Sequence, residues 1–238
     1  MMNKSLLTIE KRSSINGTFW KKRLIDDDIN LNKTSDSKLK IILETILFGR
    51  NIKKEDFNDF LDPKVNNLII DPTELVDMDI AIKEITLAMT DNKKIGIIGD
   101  YDVDGTTSSS LLKNFFDHYN VISDVYIPDR LKDGYGPNIF AFDQFIEKGI
   151  DTVITVDCGS ASIKPLDYAK KNGIKVIIID HHKVDNVLPD CFAHINPTRK
   201  DDKSNLNHLA AVGLTFLFIV ALRRALRDVK EFKNINEP

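Results

Sequence analysis

Acidic and imidazole side chains follow three short apolar runs in this chain. Asp100, Asp102 and Asp104 come after IGIIG (95–99), Asp157 after DTVITV (151–156), and Asp180, His181 and His182 after KVIII (175–179). So many carboxylates in a partly dry cleft repel one another unless positive charge lies among them, and a pair of divalent cations supplies it. Asp and His ligation suits Mn2+ or a similar metal better than the all-oxygen shells typical of Ca2+. Two such ions about 3.5–4 Å apart bridge a phosphodiester, activate a water and stabilise the leaving oxygen. Each piece also has a plainer use. An Asp at a strand end often caps the next helix, which applies to Asp157 and to Asp104 ahead of Gly105. D-x-D-x-D also suggests a calcium loop, but glycine and glutamate do not follow at EF-hand spacing. Of the adjacent His181 and His182, one can ligate while the other donates to backbone. The convergence of all three clusters argues for metal.

Convergence requires elements that bring distant segments to one rim. From Lys94 the chain alternates short isoleucine- and valine-rich runs with helical stretches: IGIIG, then TSSSLLKNFFDHY; VISDVYI (121–127); DTVITV; IKPLDYAKKNG (163–173); KVIIID (175–180). That pattern predicts βαβ units and a parallel sheet covered on both faces, with ligands bound at the carboxyl ends of the strands. The preceding part reads as helical. Leu39, Ile42, Leu43, Ile46 and Leu47 share one face, a short helix covers 55–61, and Leu75, Met78, Ile82, Ile85 and Met89 form a stripe with Thr73 as its expected N-cap. The expected organisation is a helical lead-in over 1–91 and an α/β, Rossmann-like parallel-sheet domain over 92–238. The acidic triplet Asp26–Asp28 reads as a solvated turn.

Composition narrows the class. The chain has 238 residues and a formal net charge of −3, so no global basic field advertises a polyanionic partner, although a local positive groove remains compatible with one. Its two cysteines, Cys158 and Cys191, are too few for a zinc ribbon or a disulfide framework. The N-terminus lacks an apolar core of signal-peptide length. LAAVGLTFLFIVAL (209–222) is shorter than the roughly twenty residues a bilayer requires, so it reads as a buried helix and the protein as cytoplasmic, with no membrane partner.

DYDVDG (100–105), TVDCG (155–159) and IIDHH (178–182) resemble the first three motifs of the DHH phosphoesterases. IPDRLKDGYG (127–136), INPTR (195–199) and the helix 209–222 are similar to segments of the RecJ branch, as are Leu61-Asp62-Pro63, Asp71-Pro72 and Met78-Asp79. The resemblance runs from about Trp20 to Asp228. It implies a 5′-to-3′ single-stranded-DNA exonuclease of recombination and repair, using two Mn2+ or Mg2+ ions. Carried onto this chain, Asp102 and Asp104 become metal ligands with Asp100 an acidic partner, Asp157 the bridging ligand and His181 a direct ligand. His182 then contacts the scissile phosphate or stabilises charge there. Arg130 is a candidate phosphate clamp, with a surface ion pair to Asp129 or Asp133 as the plainer reading, and Arg199 carries the same pair of readings. Tyr135 either stacks on a base or packs its loop. Gly105 permits close backbone approach at the start of its helix, where following N–H groups would face a phosphate.

Two departures from the family pattern stand out. Ser160 takes the place of the hydrophobic residue that follows C-G in motif two. The fourth acidic motif, the DHHA1 domain and the OB fold have no counterpart before Pro238. The expectation is therefore a domain that stops before its fourth motif, with its second metal short of a ligand. The alternatives are a non-catalytic remnant or split-enzyme half that binds metal or a partner (the absent half, or repair proteins), and a phosphodiesterase for short oligonucleotides or cyclic dinucleotides. A remnant would expose an apolar face, for which the outer side of 209–222 is the candidate.

Overall fold

A computed structural model describes residues 15–18, 38–185, 187–233 and 235–236; the Asp26–Asp28 triplet and the start of the family resemblance at Trp20 lie outside them. The chain divides into two compact units, Met1–Ile69 and Ile70–Pro238. In the first, α1 (Lys38–Gly49) is followed by a 3-10 turn, α2 (Phe57–Leu61) and α3 (Val65–Leu68). Leu47 and Phe57 are buried, and the Phe48 and Phe57 rings meet edge-on at 5.1 Å. The predicted apolar face of α1 is only partly covered: Leu39, Ile42 and Ile46 are exposed.

The second unit holds the sheet. Its elements are α4 (Met78–Thr90), β1 (Ile95–Gly99), α5 (Val103–His118), β2 (Ser123–Tyr126), α6 (Ile139–Glu147), β3 (Thr152–Val156), α7 (Ile163–Lys171), β4 (Lys175–Ile179), β5 (Ala193–Ile195) and α8 (Ala211–Leu226). Among the described residues the sheet has five strands in the order β2-β1-β3-β4-β5, every pair parallel. Isoleucine and valine, stiff at the β-carbon and suited to a pleated surface, fill strands buried on both faces. Ile95, Ile97, Ile154, Val156, Ile177 and Ile179 face one cluster with α4, α5 and α8. Ile98, Val153, Val176 and Ile178 face the other, with Phe142 and Phe145 of α6 and Leu166 and Ala169 of α7.

Two local expectations are corrected. Thr73 does not cap α4. The Asp71 carboxylate instead accepts from the Thr73 N–H across a 3-10 turn, and α4 begins after Asp77. Met78, Ile82, Ile85 and Met89 are still buried, and α4 packs on the sheet within the second unit. The outer side of 209–222 is not an exposed apolar face either. Leu214, Leu217, Phe218 and Leu222 are buried against α4 and α5, and Phe216 is the one large apolar side chain of α8 among the exposed ones described. No helix among the described residues is long and apolar enough to cross a membrane.

Candidate metal centre

The chain leaves β1 outward to β2, then returns past β1 to β3, so the crevice between the carboxyl ends of β1 and β3 is the point where strand order reverses. Ligands of open parallel sheets bind at such a switch. Asp100 follows β1 and Asp157 follows β3 there, while Asp180 follows β4. Their N–H groups continue the ladder to Val156, Ile179 and Ile195 carbonyls at 3.3, 2.9 and 3.1 Å, which fixes where each side chain departs.

Asp157 is the centre of the cluster. Its side chain is 1% exposed, and Oδ1 accepts no hydrogen bond even though His181 Nε2 is 3.2 Å away and His182 Nδ1 3.8 Å. Its backbone is left-handed, with φ 59°, a conformation that a short polar side chain tolerates better than most. Gly159 follows at φ 112°, where a Cβ would meet Thr155 Oγ1 at 2.7 Å. One oxygen each from Asp100, Asp102 and Asp157 lie within 4.8 Å of one another, and so do ligand atoms of Asp157, His181 and His182. The two groups share Asp157.

The electrostatics are those of a cation site. Burial, with Asp104 and Asp102 adding repulsion, pushes the Asp157 carboxyl up to about 8. Burial also raises Asp100, whose Oδ1 is a second buried oxygen without a donor. Asp102 is held low, first by the Gly105 N–H it accepts at 3.0 Å as N-cap of α5. A buried, orphaned carboxylate oxygen between like charges fits a divalent ion, whose charge removes the repulsion and engages the free lone pairs. Asp100, Asp102, Asp157 and His181 therefore have the donor set and the spacing to hold Mn2+ or Mg2+, with His182 beside them and its Nδ1 held by Asp180.

Asp104 has a role that sequence reasoning missed. Its two carboxylate oxygens accept from the Ala211 and Val212 N–H groups at 2.7 and 2.8 Å, so it caps α8 rather than its own helix. Oδ2 is also 3.6 Å from His181 Nε2, which keeps Asp104 at the edge of the cluster. Each oxygen keeps a further lone pair, so capping and ligation are compatible. Asp180 was legible only as an acid beside two histidines. Oδ1 accepts from His181 N, His182 N and His182 Nδ1 at 2.8, 3.1 and 2.7 Å, and Oδ2 accepts from Ser160 N at 3.1 Å. Burial alone would raise its carboxyl, but the bonds from His182 and Ser160 outweigh it and hold it well below the usual range. The same contact lifts His182 to about 9.

The other expected site residues separate. Gly105 is buried, and a Cβ there would lie 2.4 Å from the Asp100 carbonyl oxygen. Its close approach thus serves the Asp100 backbone; its own N–H bonds the Asp102 side chain, and the following N–H, of Thr106, bonds the Asp102 carbonyl at 3.0 Å. The Tyr135 hydroxyl donates to the Asp157 carbonyl at 3.0 Å and lies 3.3 Å from His182 Nδ1, so the ring packs its loop against the centre. Arg199 stands outside the cluster. Its guanidinium bonds Asp77 at 2.7 Å, Asp201 at 2.7 and 3.0 Å and the His194 carbonyl, a largely buried network that engages four of its five donors and favours the ion-pair reading over the phosphate clamp. Arg130 lies over the Tyr101 ring, 5.5 Å from its centroid. Asp129 pairs with Lys132, and Asp133 accepts from Tyr126 Oη and the Asp129 N–H, so neither forms the expected surface pair with Arg130.

The parallel sheet with acids and histidines at its switch point is an α/β fold with a candidate metal centre, and the chain belongs to the DHH family, matching its N-terminal domain over residues 94–237. Its curated relatives include the single-stranded-DNA-specific exonuclease RecJ of Bacillus subtilis, 40% identical over 158 residues, or 66% of this chain and 20% of that protein. Among solved structures it resembles an exonuclease RecJ bound to manganese, with TM-score 0.58 and 29% identity over 64% of this chain and 38% of the other. It also resembles RecJ of Thermus thermophilus in complex with Mn2+, with TM-score 0.60 and 25% identity over 76% of this chain and 24% of the other. The chain thus spans a fifth to under two fifths of the relatives it matches.

Proposed function

We propose that this chain carries the metal-binding half of a phosphodiester hydrolase that degrades single-stranded DNA from its 5′ end. The observation that carries the reading is the buried Asp157 Oδ1, without a donor, flanked by Asp100 and Asp102 on one side and His181 and His182 on the other. Asp157 belongs to both ligand groups, which suits a bridging carboxylate, while Asp102 and His181 serve one side each. Divalent metal bound there supplies Lewis-acid polarisation of a phosphoryl oxygen and a lower pKa for water. Asp180 keeps His182 protonated near neutral pH, so its ring is a charged donor at the mouth of the site. Arg130 has no carboxylate within ion-pair distance among the described residues, and its planar fork matches phosphate oxygens bidentately. Participation in repair and a cytoplasmic location belong to the same proposal.

The test is Mn2+-dependent release of mononucleotides from 5′-labelled single-stranded DNA by this chain, with Asp157→Asn as control. Release abolished in the control supports the reading. Absence of release from folded wild type at micromolar concentration contradicts it. One observation favours a second, non-catalytic reading: both oxygens of Asp104 are tied to the first turn of α8, which fixes this carboxylate at the edge of the cluster. That reading predicts Mn2+ binding without release.

A further inference from the structure

His182 depends on its loop for its position, because the partner of its ring nitrogen, Asp180, belongs to the same turn. The loop itself is anchored from outside. The His182 carbonyl accepts from Asn196 Nδ2 at 3.0 Å and from Thr198 Oγ1 at 2.8 Å, the one Thr198 hydroxyl proton being shared with Asn196 Oδ1, also at 2.8 Å. Asn196, just after β5, is fully buried. Its Nδ2 also donates to Ser160 Oγ at 3.0 Å, and its Oδ1 accepts from the Thr198 N–H at 2.9 Å. Ser160 Oγ lies 2.9 Å from His194 Nε2, and Ser160 N bonds Asp180.

Ser160 Oγ has two lone pairs, so it can accept from Asn196 Nδ2 and from His194 Nε2 together. His194 Nδ1 is buried without a partner, which favours the tautomer with its proton on Nε2, donated to Ser160. Ser160 thereby has partners on both sides, and the loops after β3, β4 and β5 are joined through one amide.

We propose that Asn196, assisted by Thr198 and Ser160, is a positioning residue that holds His182 where its ring meets a bound phosphate. The proposal rests on the phosphoester reading of the site. A purely structural role, satisfying buried polar groups, would affect the whole sheet equally when removed. A positioning role affects His182 and the phosphate but leaves the metal ligands in place.

The test uses the 238-residue chain, Asn196→Ala and the milder, shape-conserving Thr198→Val, which keeps the proposal open to refutation if the first variant does not fold. Amide hydrogen exchange is followed without metal. Affinities for Mn2+ and, on the Mn2+-loaded chain, for thymidine 5′-monophosphate are then measured. Loss of one hydrogen bond corresponds to roughly tenfold. Asn196→Ala is therefore expected to weaken monophosphate binding and His182 amide protection by about tenfold each, with Mn2+ affinity within about twofold. Thr198→Val should show the same pattern at about threefold. Unchanged monophosphate affinity in folded variants overturns the proposal, and so does protection lost evenly across β1, β3 and β4. A wild type that binds neither probe overturns the phosphoester reading first, and the phosphate contact assigned to His182 with it.

Discussion

Asp157 concentrates the tension of the site in one carboxylate. Its pKa in the folded, metal-free chain is about 8, against an ordinary value of 3.8. The folded state therefore binds more protons than the unfolded state across that interval, and stability falls as pH rises through it. The loss reaches a few kcal/mol on the scale of about 1.4 kcal/mol per pH unit. Denaturant titrations of the metal-free chain at pH 5 and pH 8 should show it. Asp157→Asn should flatten the dependence and stabilise the protein at pH 8, because asparagine tolerates the same left-handed backbone and carries no charge. His194 has the opposite sign. Burial, then Arg199, holds it down at about 4, so the unfolded chain takes up the extra proton between pH 6.5 and 4 and stability falls as pH drops through that window. His194→Gln should remove most of that acid sensitivity in the same titrations. Neither effect was legible in the sequence, where Asp157 stands as an acid after a strand and His194 as an isolated histidine.

The element that most changes the meaning of a mutation is α8. Its first turn has unpaired N–H groups, and a carboxylate from α5, more than a hundred residues earlier, satisfies two of them. Asp104→Ala should therefore cost about 2 kcal/mol of stability even without metal, through two lost charge-assisted bonds. Asp102→Ala should cost less, since the foremost of its bonds is the single one from the Gly105 N–H and its removal also relieves repulsion with Asp157. Comparing the two by chemical denaturation separates cap from ligand, and loss of activity in Asp104→Ala alone would not identify a ligand. The strands were readable because buried parallel strands are continuous apolar runs. β5 and α6 leave weaker signals in the sequence. AHI (193–195) is three residues long with a histidine inside it, and IFAFDQFIE (139–147) is a nine-residue helix just after a loop that holds Gly134 and Gly136. The N-cap of α4 was misplaced because Asp71-Pro72-Thr73 has the local signature of a helix start but closes a 3-10 turn instead.

At the scale of the whole molecule, sheet topology converts sequence separation into proximity: Asp100, Asp157 and His181 follow three neighbouring strands, with β3 paired between β1 and β4. The clustering of acids and histidines could be read from the positions after each strand. The links among Asp180, Ser160, Asn196 and His182 could not, since hydrogen-bond partners across strands leave no periodic signal. Calorimetric titration of Mn2+ into the 238-residue chain and into Asp157→Asn at pH 8 tests the metal centre most directly. The account predicts saturable binding by the wild type and a loss of at least about a hundredfold in the variant, as expected when a shared ligand is removed. Equal Mn2+ affinity in the two folded proteins would contradict it.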